Sequence, residues 1–171
     1  MTITALYADG GVIGSNPSPL GGTWAWCLVD EAGARVVWES GLVTPAEAGG
    51  VVTNNVTELA ALVYGLEALP IDFRGTVYSD SQVTLLRVFH AGKLSNVPVW
   101  LVRRLQAVQK SGRLRGVSYT LLDGHPTRAQ LAAGRGKRGN LVSEHNVWCD
   151  AACGEQARRH RAQRLAEVAD G

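Results

Sequence analysis

The pattern of apolar and polar residues over the first 43 positions predicts three consecutive β-strands. An apolar run begins at Ile3, and residues 23–29 and 34–43 are rich in aromatic and β-branched residues. The connecting segments, 14–22 and 30–33, contain Gly, Pro, Ser, Asn and Asp, which favour turns. We expect the three strands to form an antiparallel meander.

Beyond position 58 the apolar period becomes that of helices, interrupted by two short strands. Apolar residues recur every three to four positions from Leu59 to Leu69, and Pro70 ends the pattern. Later elements are predicted as strand 76–80, helix 81–89, helix 97–110, strand 117–122 and helix 143–168. The order βββαβααβα predicts an α/β fold with a five-stranded mixed sheet, antiparallel first and parallel afterwards, with helices on both faces.

Length and composition favour one globular domain. The 171 residues are 46% hydrophobic, enough for a substantial core, and no apolar run approaches the roughly 18 residues of a membrane span. The first positive charge is at Arg35, so no signal peptide is predicted. Three cysteines argue against a disulfide framework and for a reducing, cytoplasmic location. We expect a monomer without an obligate protein partner or membrane contact, and disorder in the last few residues.

Charge is distributed unevenly along the chain. Residues 1–100 carry four basic and nine acidic groups, net −5, whereas residues 101–171 carry thirteen basic and six acidic groups, net +7. Two interpretations remain open: an acidic, cation-binding centre beside a basic flank for a polyanion, or Lys and Arg that only solvate two helices. The segment 126–141 is predicted to be a flexible, basic insertion loop.

Four acids stand at positions where an α/β sheet gathers ligands. Asp9 and Asp80 follow predicted strands, Glu58 opens a helix, and Asp150 lies early in the last helix. Each also has a structural interpretation. Asp9 would begin a hairpin turn, Glu58 would form a capping box with Asn55, Asp80 would be an N-cap, and Asp150 would be an exposed helix acid.

Five short motifs in order resemble the type 1 ribonuclease H family. They span about residues 3–160 and are Asp9-Gly10, Thr53-Asn54-Asn55-Val56-Thr57-Glu58-Leu59, Asp80-Ser81-Gln82, Gly124-His125 and Asn146-Val147-Trp148-Cys149-Asp150. The resemblance implies a ribonuclease H-like fold and endonucleolytic hydrolysis of the RNA strand of RNA–DNA hybrids, leaving 5′-phosphate and 3′-hydroxyl ends. Motifs in the predicted structural context are stronger together than any one alone.

The resemblance also implies a two-metal site. Asp9 would bridge two Mg²⁺ ions, Asp150 would complete the water-activating site, and Glu58 with Asp80 would hold the other ion. His125 would assist proton movement and product release. Mg²⁺ prefers hard oxygen ligands, and Mn²⁺ is a plausible substitute. A zinc site of His145, Cys149 and Cys153 is the weaker interpretation of the last helix, because a fourth ligand is missing.

Substrate contacts follow from the same resemblance. Asparagines and Gln82 would line the minor groove, main chain near Gly10-Gly11 and Glu58 would sense the ribose 2′-hydroxyl, and Thr53 would grip a phosphate. The implied binding residues are Gly10, Gly11, Asn16, Thr53, Asn54, Asn55, Gln82 and Asn146.

The sequence departs from the family pattern in its cationic residues. Val51 replaces the arginine usually found two positions before the threonine, and only Phe89 and Lys93 remain of a basic protrusion. We therefore hypothesise that basic residues of the insertion replace them as phosphate contacts: Arg128, Arg135, Lys137 and Arg138.

Two other functions remain open. One is a DNA-directed nuclease or junction resolvase of the same superfamily. The other is a hybrid- or RNA-binding module without catalysis, which would have no use for carboxylates facing phosphates.

Overall fold

A computed structural model describes residues 1–170, which form one five-stranded sheet covered by helices. The strand order is β3-β2-β1-β4-β5. The strands are β1 (Ile3–Val12), β2 (Gly22–Asp30), β3 (Arg35–Val43), β4 (Thr76–Ser79) and β5 (Ser118–Leu121). Strands β1, β2 and β3 pair antiparallel, whereas β4 pairs parallel with both β1 and β5. The predicted mixed sheet is confirmed.

Within residues 1–170, six helices connect or follow the strands. They are α1 (Pro45–Ala48), α2 (Asn54–Ala68), α3 (Gln82–Phe89), α4 (Val99–Lys110), α5 (Arg128–Ala133) and α6 (Glu144–Ala169). The sequence pattern did not predict α1 and α5. Both are too short for a periodic signal and begin with a capping box, Thr44 with Glu47 and Thr127 with Gln130.

The segment 126–141 contains regular structure that the sequence pattern did not predict. It includes α5, and Leu141 forms isolated bridges with Leu122 and Arg135. The flexibility of this segment stays a prediction. Helix α6 continues to Ala169 and Gly171 lies outside the described residues, so the disorder of the last few residues also stays a prediction.

The two faces of the sheet bury different side chains. Leu6 and Ala8 of β1 point into the larger core, with residues of α2, α3 and α4. Ala5 and Tyr7 point to the opposite face, where Cys149 and Cys153 of α6 cover them. This period-two alternation confirms helices on both faces. No helix among residues 1–170 combines the length and apolar character needed to cross a bilayer.

Candidate metal centre and adjoining cleft

Three acidic side chains converge beside the centre of the sheet. Asp9 comes from β1, Glu58 from the second turn of α2, and Asp80 directly follows β4. One carboxylate oxygen of each lies within 4.8 Å of the others. Asp9 and Glu58 are buried, and Asp80 is partly buried. We call these three residues the carboxylate cluster, and their oxygen atoms could hold a metal ion.

The pairing of β1 explains where Asp9 lies. The strand was expected to end at Asp9, but it continues to Val12 because β2 pairs with it as far as Gly22. Its pairing with β4, in contrast, ends at Tyr7 opposite Tyr78. Asp9 therefore lies just beyond the carboxyl end of the parallel ladder, where ligands of open α/β sheets bind.

A close contact between β1 and α2 brings Glu58 to the cluster. A side chain at Gly10 would overlap with backbone atoms of Thr57 and Glu58. Gly10 is therefore needed for the helix to approach the strand, a reason the sequence did not reveal. The neighbouring Gly11 lines a separate cavity of about 360 Å³ together with Asp150.

Glu58 and Asp80 are not helix caps. Thr53 is the N-cap of α2, and its hydroxyl accepts from the Val56 backbone N–H at 3.4 Å. Ser81 is the N-cap of α3. The capping interpretations of Glu58 and Asp80 are therefore wrong, since neighbouring residues satisfy the first helical N–H groups.

Burial without compensation raises the pKa values of the cluster. Desolvation is the main cause for Asp9, Glu58 and Asp80. Repulsion from other carboxylates in the cluster adds to it at Asp9 and Glu58, and repulsion from Asp150 adds to it at Asp80. Hydrogen bonds only partly oppose these effects. The Gly10 N–H donates to Asp9 at 2.9 Å, while Asn54 and Asn146 donate to Glu58 and Asp80, each at 3.4 Å.

Two buried oxygen atoms lack partners among the described residues. They are Oε2 of Glu58 and Oδ1 of Asn146. Buried polar atoms are nearly always satisfied, so an unpartnered carboxylate oxygen among three acids fits a site for a bound cation. The donor set, oxygen only, suits Mg²⁺ or Mn²⁺ better than zinc.

Asp150 and His125 form a second, more exposed part of the site. Asp150 does not belong to the tight cluster, and half of its side chain is exposed. Its Oδ2 lies 3.6 Å from Nδ1 of His125, whose side chain is 79% exposed. His125 has a φ of 50°, a left-handed conformation that is uncommon for histidine. The structure thus places His125 beside Asp150 at the rim.

The predicted binding residues divide into two groups. Asn16 and Asn54 adjoin the cluster: Asn16 Oδ1 accepts from the Asn54 N–H at 3.1 Å, and the Asn54 side chain reaches Glu58. Asn146 is buried against Asp80. Asn55 and Gln82, by contrast, lie exposed in the first turns of α2 and α3.

A cleft of about 430 Å³ opens beside the cluster. Glu58 and Asp80 line it together with residues from α2, the start of α3 and the segment after β5: Asn54, Ser81, Asp123, Gly124, His125, Lys137 and Arg138. Sequence reasoning missed Asp123 as part of this site. The signal was available, because Asp123 follows a parallel strand as Asp80 does.

The cysteines do not support a zinc site. Cys27, Cys149 and Cys153 are buried and free, and the two sulfur atoms of Cys27 and Cys149 are 3.8 Å apart. His145 instead contacts Arg35 at 3.1 Å. Within residues 1–170 the carboxylate cluster is the only group of three or more such ligands found together.

Comparison with known proteins identifies the fold. No protein-family model and no curated protein matches the sequence. Among solved structures, LC11-RNase H1, isolated from compost by a metagenomic approach, has a TM-score of 0.63 at 20% identity over 93% of this chain and 98% of that one. The same enzyme in complex with an RNA/DNA hybrid has a TM-score of 0.60 at 19% identity over 91% and 96%.

An archaeal structure has the same architecture. RNase H1 from the halophile Halobacterium salinarum NRC-1 has a TM-score of 0.58 at 23% identity, covering 91% of this chain and 97% of that one. These structures share the mixed sheet and its flanking helices with the present chain. The chain therefore has the ribonuclease H-like fold of the type 1 ribonucleases H.

Proposed function

We propose that this protein hydrolyses the RNA strand of RNA–DNA hybrids endonucleolytically, leaving 5′-phosphate and 3′-hydroxyl ends. It would act as a single-domain monomer. The carboxylate cluster carries the proposal, because three acids with raised pKa values and an unpartnered oxygen meet at the ligand-binding edge of a ribonuclease H-like sheet. The structural similarity to LC11-RNase H1 bound to an RNA/DNA hybrid supports the substrate.

The acids would serve a pair of divalent cations, Mg²⁺ or Mn²⁺. Asp9, Glu58 and Asp80 provide clustered oxygen atoms, and Asp150 would add a ligand from the rim. When bound, such ions activate water as a nucleophile and stabilise the leaving oxygen. Asn54 and Asn146 hold the carboxylates of Glu58 and Asp80 in orientation.

His125 is placed to exchange protons with solvent. Its Nδ1 lies near the carboxylate of Asp150, which orients the ring, and most of its side chain is exposed. Histidine side chains commonly act as general acids and bases in catalysis. We propose that His125 carries protons between the reacting phosphate and solvent and assists departure of the product.

The proposed hybrid contacts flank the cluster. Asn16 and Asn54 are connected by a hydrogen bond, and exposed Asn55 and Gln82 extend the same edge. These side chains would meet the minor groove, where sugars and base edges are accessible. Main chain at Gly10 and Gly11 would meet the ribose 2′-hydroxyl, and Thr53 would contact a phosphate.

A substrate panel tests this function. Labelled RNA–DNA hybrid, duplex DNA and single-stranded RNA are each incubated with Mg²⁺, Mn²⁺ or a chelator, and the product ends are mapped. We expect cleavage of the RNA strand of the hybrid only, with either metal and not with the chelator. Cleavage of duplex DNA would support a DNA-directed nuclease, and binding without cleavage would support a binding module.

Two variants complete the panel. Asp80→Asn removes a charge from the carboxylate cluster and should abolish cleavage while leaving the fold intact. Asp72→Asn removes an exposed acid that does not line the cleft and should retain full activity. Full activity in Asp80→Asn would contradict the proposal.

A further inference from the structure

A loop places two of its three basic side chains in the cleft. We call residues 134–140 the basic loop. Its Lys137 and Arg138 line the same cleft of about 430 Å³ as Glu58 and Asp80. The loop follows α5 in a segment whose position the sequence pattern did not predict. Positive charge is therefore brought to the edge of an acidic site from a distant part of the chain.

A buried carboxylate anchors the loop. Asp123 is 4% exposed and accepts hydrogen bonds from the backbone N–H of Arg138 at 2.6 Å, from Arg138 Nε at 2.9 Å and from Asn140 Nδ2 at 2.9 Å. Burial pushes the pKa of Asp123 up, but these bonds outweigh it and keep the pKa below its usual value. Charge-assisted hydrogen bonds of this kind are the stronger ones in proteins.

Backbone contacts hold the loop in one conformation. A side chain at Gly136 would overlap with Asp123, so the loop main chain packs directly on the anchor. The Gly136 N–H donates to Asn140 at 2.9 Å, and the Asp123 N–H donates to Leu141 at 2.9 Å. Lys137 and Arg138 thus extend from ordered main chain, which lowers the entropic cost of binding a ligand.

The four basic residues of the segment are not equivalent. Arg128 and Arg135 do not line the cleft, and Arg135 donates to the Gly139 carbonyl at 3.1 Å. Lys137 is exposed and, among residues 1–170, takes part in no ion pair. Arg138 keeps 61% of its side chain exposed although it contacts Asp123. Of the four basic residues that the sequence suggested as phosphate contacts, only Lys137 and Arg138 therefore line the cleft.

We propose that the basic loop is a phosphate-binding subsite in which Lys137 and Arg138 contact a backbone phosphate of the nucleic acid strand that occupies the cleft. A strand that approaches Asp80 and Glu58 brings its own negative charge to an acidic surface, and the positive side chains of Lys137 and Arg138 in the same cleft offset that repulsion. The subsite rests on the proposed function for the identity of the strand. It also compensates for Val51 and for the missing basic protrusion.

Salt-dependent binding tests the subsite. Binding of fluorescent RNA–DNA hybrid is measured by anisotropy in the Asp80→Asn background with Mg²⁺, over a range of salt concentrations, with and without Lys137→Gln. Loss of one phosphate contact should weaken binding about tenfold and reduce the slope of log Kd against log salt by about 1. An unchanged slope would overturn the proposal.

Two control variants test whether the effect of Lys137→Gln depends on the position of the positive charge that is removed. Arg128→Gln removes a positive charge from the same segment outside the cleft, and Lys110→Gln removes an exposed lysine from the end of α4. Both should leave the slope within experimental error of the Asp80→Asn background. An equal reduction in Arg128→Gln would mean that the segment acts only through its total charge, and would also overturn the proposal.

The results separate this subsite from the hydrolase function. If the wild-type protein does not cleave the hybrid but Lys137→Gln still lowers the slope, the subsite stands and the hydrolase proposal fails. If the hybrid is cleaved and the slope is unchanged, the reverse holds. Absence of binding to hybrid, duplex DNA and single-stranded RNA alike would overturn both.

Discussion

The carboxylate cluster and the buried Asp123 border the same cleft, and they differ in how their negative charge is compensated. In the carboxylate cluster, few donors face Asp9, Glu58 and Asp80, and desolvation raises their pKa values. Asp123 is equally buried, but three N–H groups from Arg138 and Asn140 lower its pKa. Hydrogen bonds within the chain compensate the charge of Asp123, whereas the carboxylate cluster could hold a metal ion.

This difference separates one buried acid that is paired within the chain from three that are only partly compensated. A buried charge is costly unless it is paired, and protonation or a bound cation can each offset that cost. Asp123 is paired within the chain and fixes the basic loop. In the cluster, one oxygen of Glu58 has no partner among residues 1–170, and the three carboxylates could hold a metal ion.

The largest expected effect comes from removing a cluster charge. Asp9→Asn should lower the rate of hybrid cleavage by about three orders of magnitude or more, because metal ions contribute several kcal/mol to such reactions. Without metal, the free energy of unfolding should stay equal or rise by about 1 kcal/mol as repulsion falls. Steady-state kinetics and urea unfolding check this, with Asp72→Asn as control. A strongly destabilised variant would contradict the comparison.

Mutation of Asp123, the anchor of the basic loop, is expected to destabilise the protein. Asp123→Asn should lower the Tm by several degrees, because the donors of Arg138 and Asn140 lose a charged acceptor in a buried site. Thermal unfolding followed by circular dichroism measures this. An unchanged Tm would mean that the anchor contributes nothing to folding.

Divalent cations should stabilise the folded protein through the carboxylate cluster and not through Asp123. At a Mg²⁺ concentration about tenfold above its Kd, the free energy of unfolding of the wild type should rise by about 1.4 kcal/mol. Asp123→Asn should keep this response, whereas Asp9→Asn should lose most of it. Urea titrations with and without Mg²⁺ test the prediction, and an equal response in all three proteins would place the cation elsewhere.

The smallest effect is a pH dependence of opposite sign at the two sites. Because the folded-state pKa of Asp9 is raised, the folded state retains a proton that the unfolded state releases above about pH 4, so stability falls as pH rises. The lowered pKa of Asp123 gives a contribution that is present above about pH 4 and is lost only in stronger acid.

Comparison of variants isolates this dependence. Without metal, the stability of Asp9→Asn relative to the wild type should increase as the pH rises from 5 to 8, because the raised pKa of Asp9 affects the wild type alone. Urea unfolding at several pH values measures the difference between the two proteins. A constant difference across this range would contradict a raised pKa of Asp9.

Much of the cluster was predictable from the sequence. Asp80 follows β4, and Asp9 lies in β1 just beyond its parallel pairing with β4, so both stand at the edge of the sheet where the apolar patterns of parallel strands end. Glu58 required the motif as a whole, since its spacing from Asn55 alone favoured a cap. The motif order thus supplied what local pattern lacked.

The remaining features depend on contacts that local patterns do not encode. Gly10 was interpreted as a turn or ligand-facing glycine, but its role depends on the approach of α2. Asp123 and the basic loop depend on hydrogen bonds between residues 15 to 17 positions apart. The capped helix α5 is too short for a hydrophobic period, so its segment resembled an irregular insertion.

Strand β1 pairs with its two neighbours over different lengths. The strand keeps β2 beside it as far as Val12 but parts from β4 after Tyr7, so the sheet forks at Asp9. The continuous pairing of β1 with β2 holds the core together, and the separation of β1 from β4 leaves room for the acids. A protein of this fold in which the β1–β4 ladder extended by two residues would lose the separation of the strands at Asp9, and it would keep the scaffold without room for the carboxylate cluster.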